Sequence, residues 1–499
     1  MIAREAAAAA PLKPGRAALL ARAVHVDVAL LGVGSAALAC AVYYASAGLR
    51  VQHTLHTTAF DLAFFDQIIW NTARGHPLET TYLPYSFFGQ HWQPLLLLFV
   101  LPYRLGAGPD LLIVVQAAGA CAAAVPLFLA ARRLAERSAA ALLSLAYLVA
   151  PVLHHGLDFG FHPELFEPLF AFGAVAALLA GRRWLFVSLV ALLLCAKEDA
   201  CLLGALLGWL CLLLGERRLG LGVIAASLLW GLVVVGIAMP WLRHGLPSDL
   251  TQRYAYLAGS AHGGLASVLA GGALHPARVL GRLLSRRTGG VVLAQFAAVG
   301  FLPLLAPRAL LAVVPLALVG LLSSYPPQAS LELQYGVPLL TALFLVAVFG
   351  LSNLRRVGVR VRSMPAPRAL TAAAALALAG STSLALASGP YPGESGYQSW
   401  RFRDAGAAAA LRRVGSLIPV DAPISAQTGL AAQLSHRRYE WEFPLIERAQ
   451  YVVLQQGGIV SAQSLPAYAA TAAALPQLGF AEIAHDGPIL LYKRKGAAP

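Results

Sequence analysis

Two carboxylates lie five residues apart in a very apolar stretch near the start of the chain. Asp61 and Asp66 occur in TTAFDLAFFDQIIWN, residues 57–71, soon after a long apolar run. A carboxylate in apolar surroundings can have a raised pKa and act as a general base that takes a proton from a hydroxyl group. Asp61 can instead be the N-cap of a helix, a position that favours aspartate. We predict that at least one of the two acids is catalytic.

Two further motifs carry groups suited to binding a substrate. His91 and Gln93 of GQHWQP can hydrogen-bond a sugar, or they can belong to a turn at the membrane interface. Asp158, His162 and Glu164 lie in HHGLDFGFHPE, which reads either as part of a site or as an outer loop before a helix. Imidazole and carboxylate groups can bind Mg²⁺ or Mn²⁺, but the spacing matches no specific metal motif, so no metal ligand is assigned.

A third charged motif, Lys197, Glu198 and Asp199, interrupts the apolar run 184–215. Isolated charge inside the hydrocarbon of a membrane costs several kcal/mol. We therefore favour two short helices with these residues at their outer turn over a single tilted helix that buries them. The three side chains form either a self-compensating ion cluster or part of a binding site.

These motifs must be positioned by a membrane domain. The 499 residues are 58% hydrophobic and 12% charged, with a mean hydropathy of +0.68, whereas an average soluble domain is roughly 25% charged. Several runs reach the roughly 20 apolar residues that a helix needs to cross a bilayer. With the arginine clusters taken as cytoplasmic, we predict about eleven spans, a cytoplasmic amino terminus and an extracytoplasmic carboxy terminus.

The chain divides into three parts by composition. We predict a cytoplasmic tail over 1–24, a membrane domain over 25–388 with outer loops at 49–93 and 243–289, and an extracytoplasmic α/β domain over 389–499. Within this last part, strand-like PISA, YEWEF and YVVLQ alternate with helix-like runs, and an Asp-Gly pair near the end indicates a hairpin.

The net charge of +14 does not require a nucleic-acid partner. Most arginines stand in short clusters between apolar runs, as expected for cytoplasmic loops that face membrane lipids. The five cysteines fall in or beside apolar runs and indicate neither a disulfide framework nor a zinc site. We predict a multi-pass protein of the cytoplasmic (inner) membrane.

Several motifs together resemble a known family. FDLAFFDQIIWN, FFGQHWQPLLLL, FHPE, AKED, FLPLLAPRALLAVVP and QYGVPLL resemble, in order and spacing, a family of predicted prokaryotic polytopic membrane proteins of unknown function. The stretch PVDAPISAQTGLAAQLSHR is similar to that family's carboxy-terminal segment, so the resemblance covers most of residues 50–460. The family in turn resembles the GT-C class of membrane glycosyltransferases.

The resemblance implies an α-helical GT-C-like fold and transfer of a sugar from a polyprenyl-phosphate donor. The acceptor would be an extracytoplasmic glycan, lipid or protein. In that class an acid of the first outer loop is commonly the base, which points to Asp61 or Asp66 without choosing between them. Guanidinium and ammonium groups suit the departing lipid phosphate. Substrate-binding residues expected outside the motifs already named are Arg253, Gln334 and Tyr335.

Two other classes of protein fit the same residues. A lipid or glycan transporter or flippase would use the acids to bind substrate or protons. The chain has no matching pair of Gly/Pro-broken helices, which counts against this class. A non-catalytic envelope assembly protein is the third class. In each case we expect the motifs to converge on one polar cavity at the outer interface.

Overall fold

The structure, a computed structural model, describes residues 27–259, 264–357, 366–403 and 406–496. The predicted tail 1–24 and the middle of the basic segment 355–368 lie outside these residues. Within the described part, six helices are long and apolar enough to cross a membrane. They are Val28–His53, Pro109–Leu134, Arg137–Asp158, Arg217–Leu242, Pro326–Arg356 and Pro367–Ser388. The protein is thus a multi-pass membrane protein, and the count of about eleven spans stays a prediction.

Shorter helices complete the membrane domain. Several begin with proline in their first turn, where the missing N–H is not needed. Those before residue 220 are Ala59–Ala63, Phe64–Ala73, Phe87–Gln90, Pro94–Phe99, Val100–Arg104, Pro163–Phe166, Glu167–Leu179, Arg183–Leu194 and Ala200–Leu213. Those after it include Asp249–Gln252, Ala255–Ala258, Leu265–Leu274, Pro276–Leu283, Arg286–Ala298, Leu302–Leu305, Pro307–Leu310 and Val314–Leu321.

The run 184–215 forms two helices, Arg183–Leu194 and Ala200–Leu213. This agrees with the prediction of two short helices rather than one tilted helix. The charged motif lies in the short segment between them, where the chain can turn without placing three charges on a lipid-facing helix. The second helix packs closely on Arg217–Val233, because Gly208 and Gly220 leave no room for a Cβ between the two backbones. Small residues commonly allow such close helix packing in membranes.

The HHGLDFGFHPE motif is less of a loop than we predicted. Its first half forms the helix Pro151–Asp158, because Pro151 starts a helix well and the following residues are mostly apolar. Only residues 159–162 are irregular, and the turn Pro163–Phe166 leads into the helix Glu167–Leu179. The first helix is also longer than predicted. It continues to His53, whereas we expected the outer loop to begin at residue 49.

The carboxy-terminal part contains a five-stranded sheet. The strands are β1 (Ile424–Ala426), β2 (Glu440–Glu442), β3 (Tyr451–Gln455), β4 (Phe480–Asp486) and β5 (Ile489–Arg494). Their order is β2-β1-β3-β5-β4: β1 pairs in parallel with β2 and β3, whereas β5 is antiparallel to β3 and β4. The predicted hairpin is confirmed, with Gly487 at a positive φ of 52° in its turn.

Helices cover both faces of this sheet. Ala407–Gly415 packs on one face with Ile424, Val453 and Leu491. On the other face, Leu475 and Phe480 pack with Val452 and Leu454, next to the helix Leu465–Ala474. A third helix, Thr428–Leu434, is almost fully buried and lies against the first outer loop of the membrane domain. This helix connects the sheet to the region that carries Asp61 and Asp66.

Candidate functional site

Asp61 lies in a π-helical turn, Ala59–Ala63, that begins soon after the first long helix ends. The hydroxyl of Thr58 donates a hydrogen bond to the Asp61 carboxylate. The Asp61 side chain is 13% exposed. The N–H of Phe161 donates to the Asp61 carbonyl oxygen at 3.0 Å. Gly160 has a φ of 73°, and a Cβ there would lie 2.8 Å from the Asp61 Cβ. The turn and the segment around Phe161 are therefore in close contact.

His162 is the neighbour of the Asp61 carboxylate. Its Nε2 lies 3.6 Å from Asp61 Oδ1, and its ring stacks on Phe159 with centroids 5.5 Å apart. The His162 N–H donates to Gln116 Oε1 at 2.5 Å, while Gln116 Nε2 donates to the Gly160 carbonyl oxygen at 2.9 Å. These contacts fix the ring beside a carboxylate that still has an accessible edge.

Glu164 and Lys197 form a buried ion pair a few residues further on. Lys197 Nζ lies 2.7 Å from Glu164 Oε1, and Gln93 Nε2 donates to the other Glu164 oxygen at 3.2 Å. Burial alone would lower the pKa of Lys197, but Asp199, Glu164 and Glu198 raise it well above its ordinary value. Burial opposes ionisation of Glu164, yet Lys197 and His162 hold its pKa below the ordinary value. Both groups are therefore charged at neutral pH.

His91 and Glu198 form a second pair beside the first. His91 Nδ1 donates to Glu198 Oε1 at 3.0 Å, and the N–H of Trp92 donates to Glu198 Oε2 at 3.0 Å. Burial would raise the pKa of Glu198, but His91 and Lys197 lower it to about 2. Burial together with Glu198 and Glu164 raises the pKa of Asp199, although Lys197, 4.0 Å away, opposes this.

Lys197 and Arg253 lie against the faces of two tyrosines. Lys197 Nζ is 5.7 Å from the centre of the Tyr335 ring, and Arg253 Cζ lies 5.4 Å from it and 4.7 Å from the Tyr325 ring. Arg253 also donates to Gln328 Oε1 at 2.8 Å. We call Lys197, Arg253, Tyr325 and Tyr335 the cationic cradle. A cavity of about 20 Å³ opens beside it, lined in part by Asp199 and Gln328.

Asp61 is within electrostatic range of this cradle. Burial and the neighbouring Tyr335 raise the pKa of the Tyr325 phenol, Arg253 opposes this, and the Asp61 carboxylate adds to the rise. The structure therefore brings a partly exposed carboxylate and two cations to one region. The predicted residues that meet there are Asp61, His91, Gln93, His162, Glu164, Lys197, Glu198, Asp199, Arg253 and Tyr335.

Asp66 lies elsewhere, at the contact between the first outer loop and the carboxy-terminal domain. It is fully buried and accepts hydrogen bonds from Tyr103 and Ser435, each at 2.6 Å. His436 Nε2 adds a contact at 3.3 Å. With both oxygens engaged by fixed donors, Asp66 has the surroundings of a structural carboxylate rather than those of a base open to substrate.

Two more predicted residues have different surroundings from the rest. Asp158 forms an ion pair of 2.5 Å with Arg401. Arg401 lies in the segment between the last long helix and the sheet. Gln334 is buried in the turn Leu333–Gly336, next to the cradle residue Tyr335, and its Oε1 has no partner among the described residues. Asp158 therefore joins the linker to the membrane domain, whereas Gln334 stays close to the site.

Three residues of the region, Tyr325, Gln328 and Glu167, were not among the predicted site residues. Tyr325 and Gln328 belong to SSYPPQ, whose proline pair indicates only a turn. Glu167 is fully buried, and both of its carboxylate oxygens lack a partner among the described residues. It follows the FHPE motif by one turn and repeats its acidic character, which is the signal that we could have used.

The region offers a partly exposed carboxylate, cations and aromatic faces. Within the described residues, no group of three or more His, Cys, Asp or Glu side chains has the placement to hold a metal ion. A carboxylate can accept a proton from a hydroxyl group, and Lys and Arg can neutralise phosphate. Aromatic faces beside them can stack on the apolar face of a sugar.

Comparison with solved structures shows where this fold occurs. ArnT from Cupriavidus metallidurans, solved with bound undecaprenyl phosphate, is 14% identical, with a TM-score of 0.51 over 94% of this chain and 99% of that one. The likeness shows a shared overall fold. The apo oligosaccharyltransferase from Archaeoglobus fulgidus is 12% identical, with a TM-score of 0.40 over 84% of this chain and 69% of that one.

The sequence itself was compared with curated proteins and with family models. No curated protein matches the chain. One family model, described as "Predicted membrane protein (DUF2079)", matches residues 51–475. This range holds the Asp61 turn, the cationic cradle and three of the five strands of the carboxy-terminal sheet, so the resemblance inferred from the motifs is confirmed. The chain belongs to the family of predicted membrane proteins DUF2079.

Proposed function

We propose that this protein is a membrane glycosyltransferase that uses a polyprenyl-phosphate sugar as donor. The acceptor is a hydroxyl group of an extracytoplasmic glycan, lipid or protein. One observation carries the proposal: a carboxylate with an accessible edge, Asp61, lies in the same region as the buried Lys197 and the half-buried Arg253. The bound undecaprenyl phosphate in the solved structure of similar fold supports a lipid donor of this class.

In the proposed reaction Asp61 takes the proton of the acceptor group. The acceptor atom forms a bond to the anomeric carbon of the sugar while the bond from that carbon to the phosphate oxygen breaks. The electron pair of the broken bond leaves with polyprenyl phosphate, whose charge Lys197 and Arg253 stabilise. His162 Nε2, 3.6 Å from Asp61 Oδ1, lies beside the carboxylate and limits its orientation.

The proposed function also implies on which side of the membrane the Asp61 turn and the sheet domain lie. Polyprenyl-linked sugars are donors where nucleotide sugars are absent, so we place the Asp61 turn and the sheet domain outside the cytoplasm of an inner membrane. The proposed division keeps the boundaries 25–388 for the membrane domain and 389–499 for the outer domain. Both regions share one side because Thr54, at the end of the first helix, donates to the Arg401 carbonyl oxygen at 2.6 Å.

A single assay tests the activity. The purified protein is supplied with radiolabelled polyprenyl-phosphate sugars, and the release of free polyprenyl phosphate is followed with and without membrane extract as a source of acceptor. We expect release in the wild type and its loss when Lys197 is replaced by Met, which has a similar length and no charge. A wild-type protein that binds these lipids yet releases sugar from none of them would disprove the proposal.

A lipid or glycan transporter is the second candidate, because one observation favours it. Glu167 is fully buried at the start of an apolar helix with both oxygens unpartnered among the described residues. Such a carboxylate is typical of proton-coupled transport. In liposomes, a transporter would move labelled lipid across the bilayer without cleaving it. The glycosyltransferase would cleave the donor without requiring a second aqueous compartment.

A further inference from the structure

One contact between the two domains falls directly on the turn that carries Asp61. The buried helix Thr428–Leu434 follows β1 and lies against the Ala59–Ala63 turn. We propose that Thr428 is a positioning residue through which the carboxy-terminal domain holds the Asp61 turn in its reactive geometry. This inference rests on the proposed function and adds a residue from a region about 370 positions away in the chain.

The contact is specific and closed to water. Thr428 Oγ1 accepts a hydrogen bond from the N–H of Ala59 at 3.0 Å, and Thr428 is only 3% exposed. The next residue, Gly429, lies so close to the first outer loop that a Cβ there would be 2.4 Å from the Leu55 carbonyl oxygen. Leu55 itself is buried in the hydrophobic core of the carboxy-terminal domain. The two backbones therefore have little freedom to move apart.

The bonded N–H is the first of the turn. The first N–H groups of a helix have no partner within the helix, and a side-chain oxygen usually satisfies one of them. Here the hydroxyl of Thr58, the residue at the usual capping position, donates to the Asp61 carboxylate instead. Thr428 satisfies the N–H of Ala59 from the other domain, while Thr58 orients Asp61.

The opposite side of the turn is held as well. The Phe161 N–H binds the Asp61 carbonyl oxygen at 3.0 Å, and Gly160 fits closely against the Asp61 Cβ. The turn is thus fixed between Thr428 and the segment that carries His162. Displacing a reacting group by about 1 Å can reduce a rate about 100-fold. Loss of one of the two contacts should therefore reduce catalysis more than substrate binding.

Two measurements on the full-length protein test the role of Thr428. The first is amide hydrogen exchange over residues 57–64 in the wild type, Thr428→Val and Thr428→Ser. Valine keeps the shape of threonine but lacks the acceptor, and serine keeps the hydroxyl. We expect faster exchange in this segment with Val and wild-type exchange with Ser. Thr471→Val, in the helix Leu465–Ala474 of the same domain, is the matched control.

The second measurement is a double-mutant cycle on sugar release. We expect Thr428→Val to lower kcat about five- to tenfold with an unchanged KM for the lipid donor, since one hydrogen bond is lost. In the Asp61→Asn background the same substitution should have less than a twofold effect, because the group that it positions is gone.

The outcomes separate this inference from the proposed function. Unchanged exchange over 57–64 in Thr428→Val, or an equal loss of kcat in both backgrounds, would overturn the positioning role. If the wild type releases no sugar, the proposed function fails, and the exchange measurement alone then decides whether Thr428 holds the turn. Wild-type rates in Thr428→Ser and Thr471→Val, with a slow Thr428→Val, would support the role.

Discussion

Asp61 and Asp66 belong to the same short segment, and yet they face different parts of the molecule. Asp61 lies in a turn beside His162, with part of its carboxylate exposed and a cationic region nearby. Asp66, on the following helix, is fully buried and bonded to Tyr103 and Ser435. Each residue is an aspartate among phenylalanines, so composition alone gives no reason to separate them.

The difference lies in how completely each carboxylate is hydrogen-bonded. A base must have an oxygen that substrate can reach, and a structural carboxylate is best with every oxygen occupied by a donor. Asp61 meets the first condition, and Asp66 meets the second. The number of fixed hydrogen-bond donors around an acid therefore separates a candidate base from a structural carboxylate, a distinction that the sequence does not make.

The largest expected effect is on the chemistry at Asp61. Asparagine keeps the size of the side chain but cannot accept the proton, and loss of a general base typically lowers a rate about 10²- to 10⁴-fold. We expect Asp61→Asn to lose sugar release to this extent while its binding of polyprenyl phosphate and its thermal stability stay close to wild type. Single-turnover kinetics and a thermal unfolding scan check this.

Asp66→Asn is the matched control for that measurement. It makes the same chemical change five residues away, and sugar release per folded molecule should remain within a few-fold of wild type. If Asp66→Asn abolished release while Asp61→Asn remained active, the assignment of the two roles would have to be exchanged.

The next effect is on stability at Asp66. Asparagine replaces one carboxylate oxygen by an NH₂ group that faces a hydroxyl donor, and an unsatisfied buried hydrogen-bonding group costs about 1 to 3 kcal/mol. We expect a lower unfolding midpoint for Asp66→Asn and faster proteolytic release of the carboxy-terminal domain. Equal protease resistance in wild type and variant would contradict the view that Asp66 joins the two domains.

A smaller effect tests whether the same reasoning extends to Glu198. Its pKa is about 2 in the folded protein, below the ordinary 4.5, because His91 and Lys197 outweigh the effect of burial. The stabilisation is therefore present above about pH 4.5 and is lost as the pH falls toward 2. Wild-type protein should lose thermal stability over this range more steeply than Glu198→Gln. Parallel curves for the two proteins would rule out this contribution.

The smallest effect is expected at an exposed pair. Arg413 and Asp486 are 2.5 Å apart at the surface of the sheet domain, but their side chains are 64% and 32% exposed. Surface pairs of this kind contribute little to stability. Asp486→Asn should change neither the unfolding midpoint nor the release of sugar. A clear loss of either would show that a short ion-pair distance contributes to stability or activity even when the pair is exposed.

The sequence was informative wherever one local pattern determines structure. The strands around Ile424, Glu440 and Tyr451, the turn at Gly487 and the break at the charged motif after Cys195 all follow from nearby residues. The helix at Pro151 was not predicted, because we read its two histidines and Asp158 as loop residues although proline starts helices well.

The site was harder to predict because it depends on contacts between distant segments. Lys197 contacts Glu164 and Tyr335, and Arg253 contacts Tyr325. These contacts arise from tertiary packing, which no local sequence pattern predicts. Two of the three partners of Asp66, Ser435 and His436, lie about 370 residues further along the chain. Residue types therefore named many members of the region, and only the folded structure separates Asp61 from Asp66 and adds Thr428.

The distance in sequence between Asp66 and its partners also sets an order of events during biosynthesis. Asp66 leaves the ribosome and enters the membrane domain long before Ser435, which follows it by 369 residues, has been translated. Until then Tyr103 is the one hydrogen-bond donor to Asp66 among the described residues. A chain that stops before Ser435 keeps an acid at a site made to be buried, without its contacts to Ser435 and His436. A truncated product that lacks Ser435 therefore differs from the 499-residue chain in the hydrogen bonds around Asp66, far from the point of truncation.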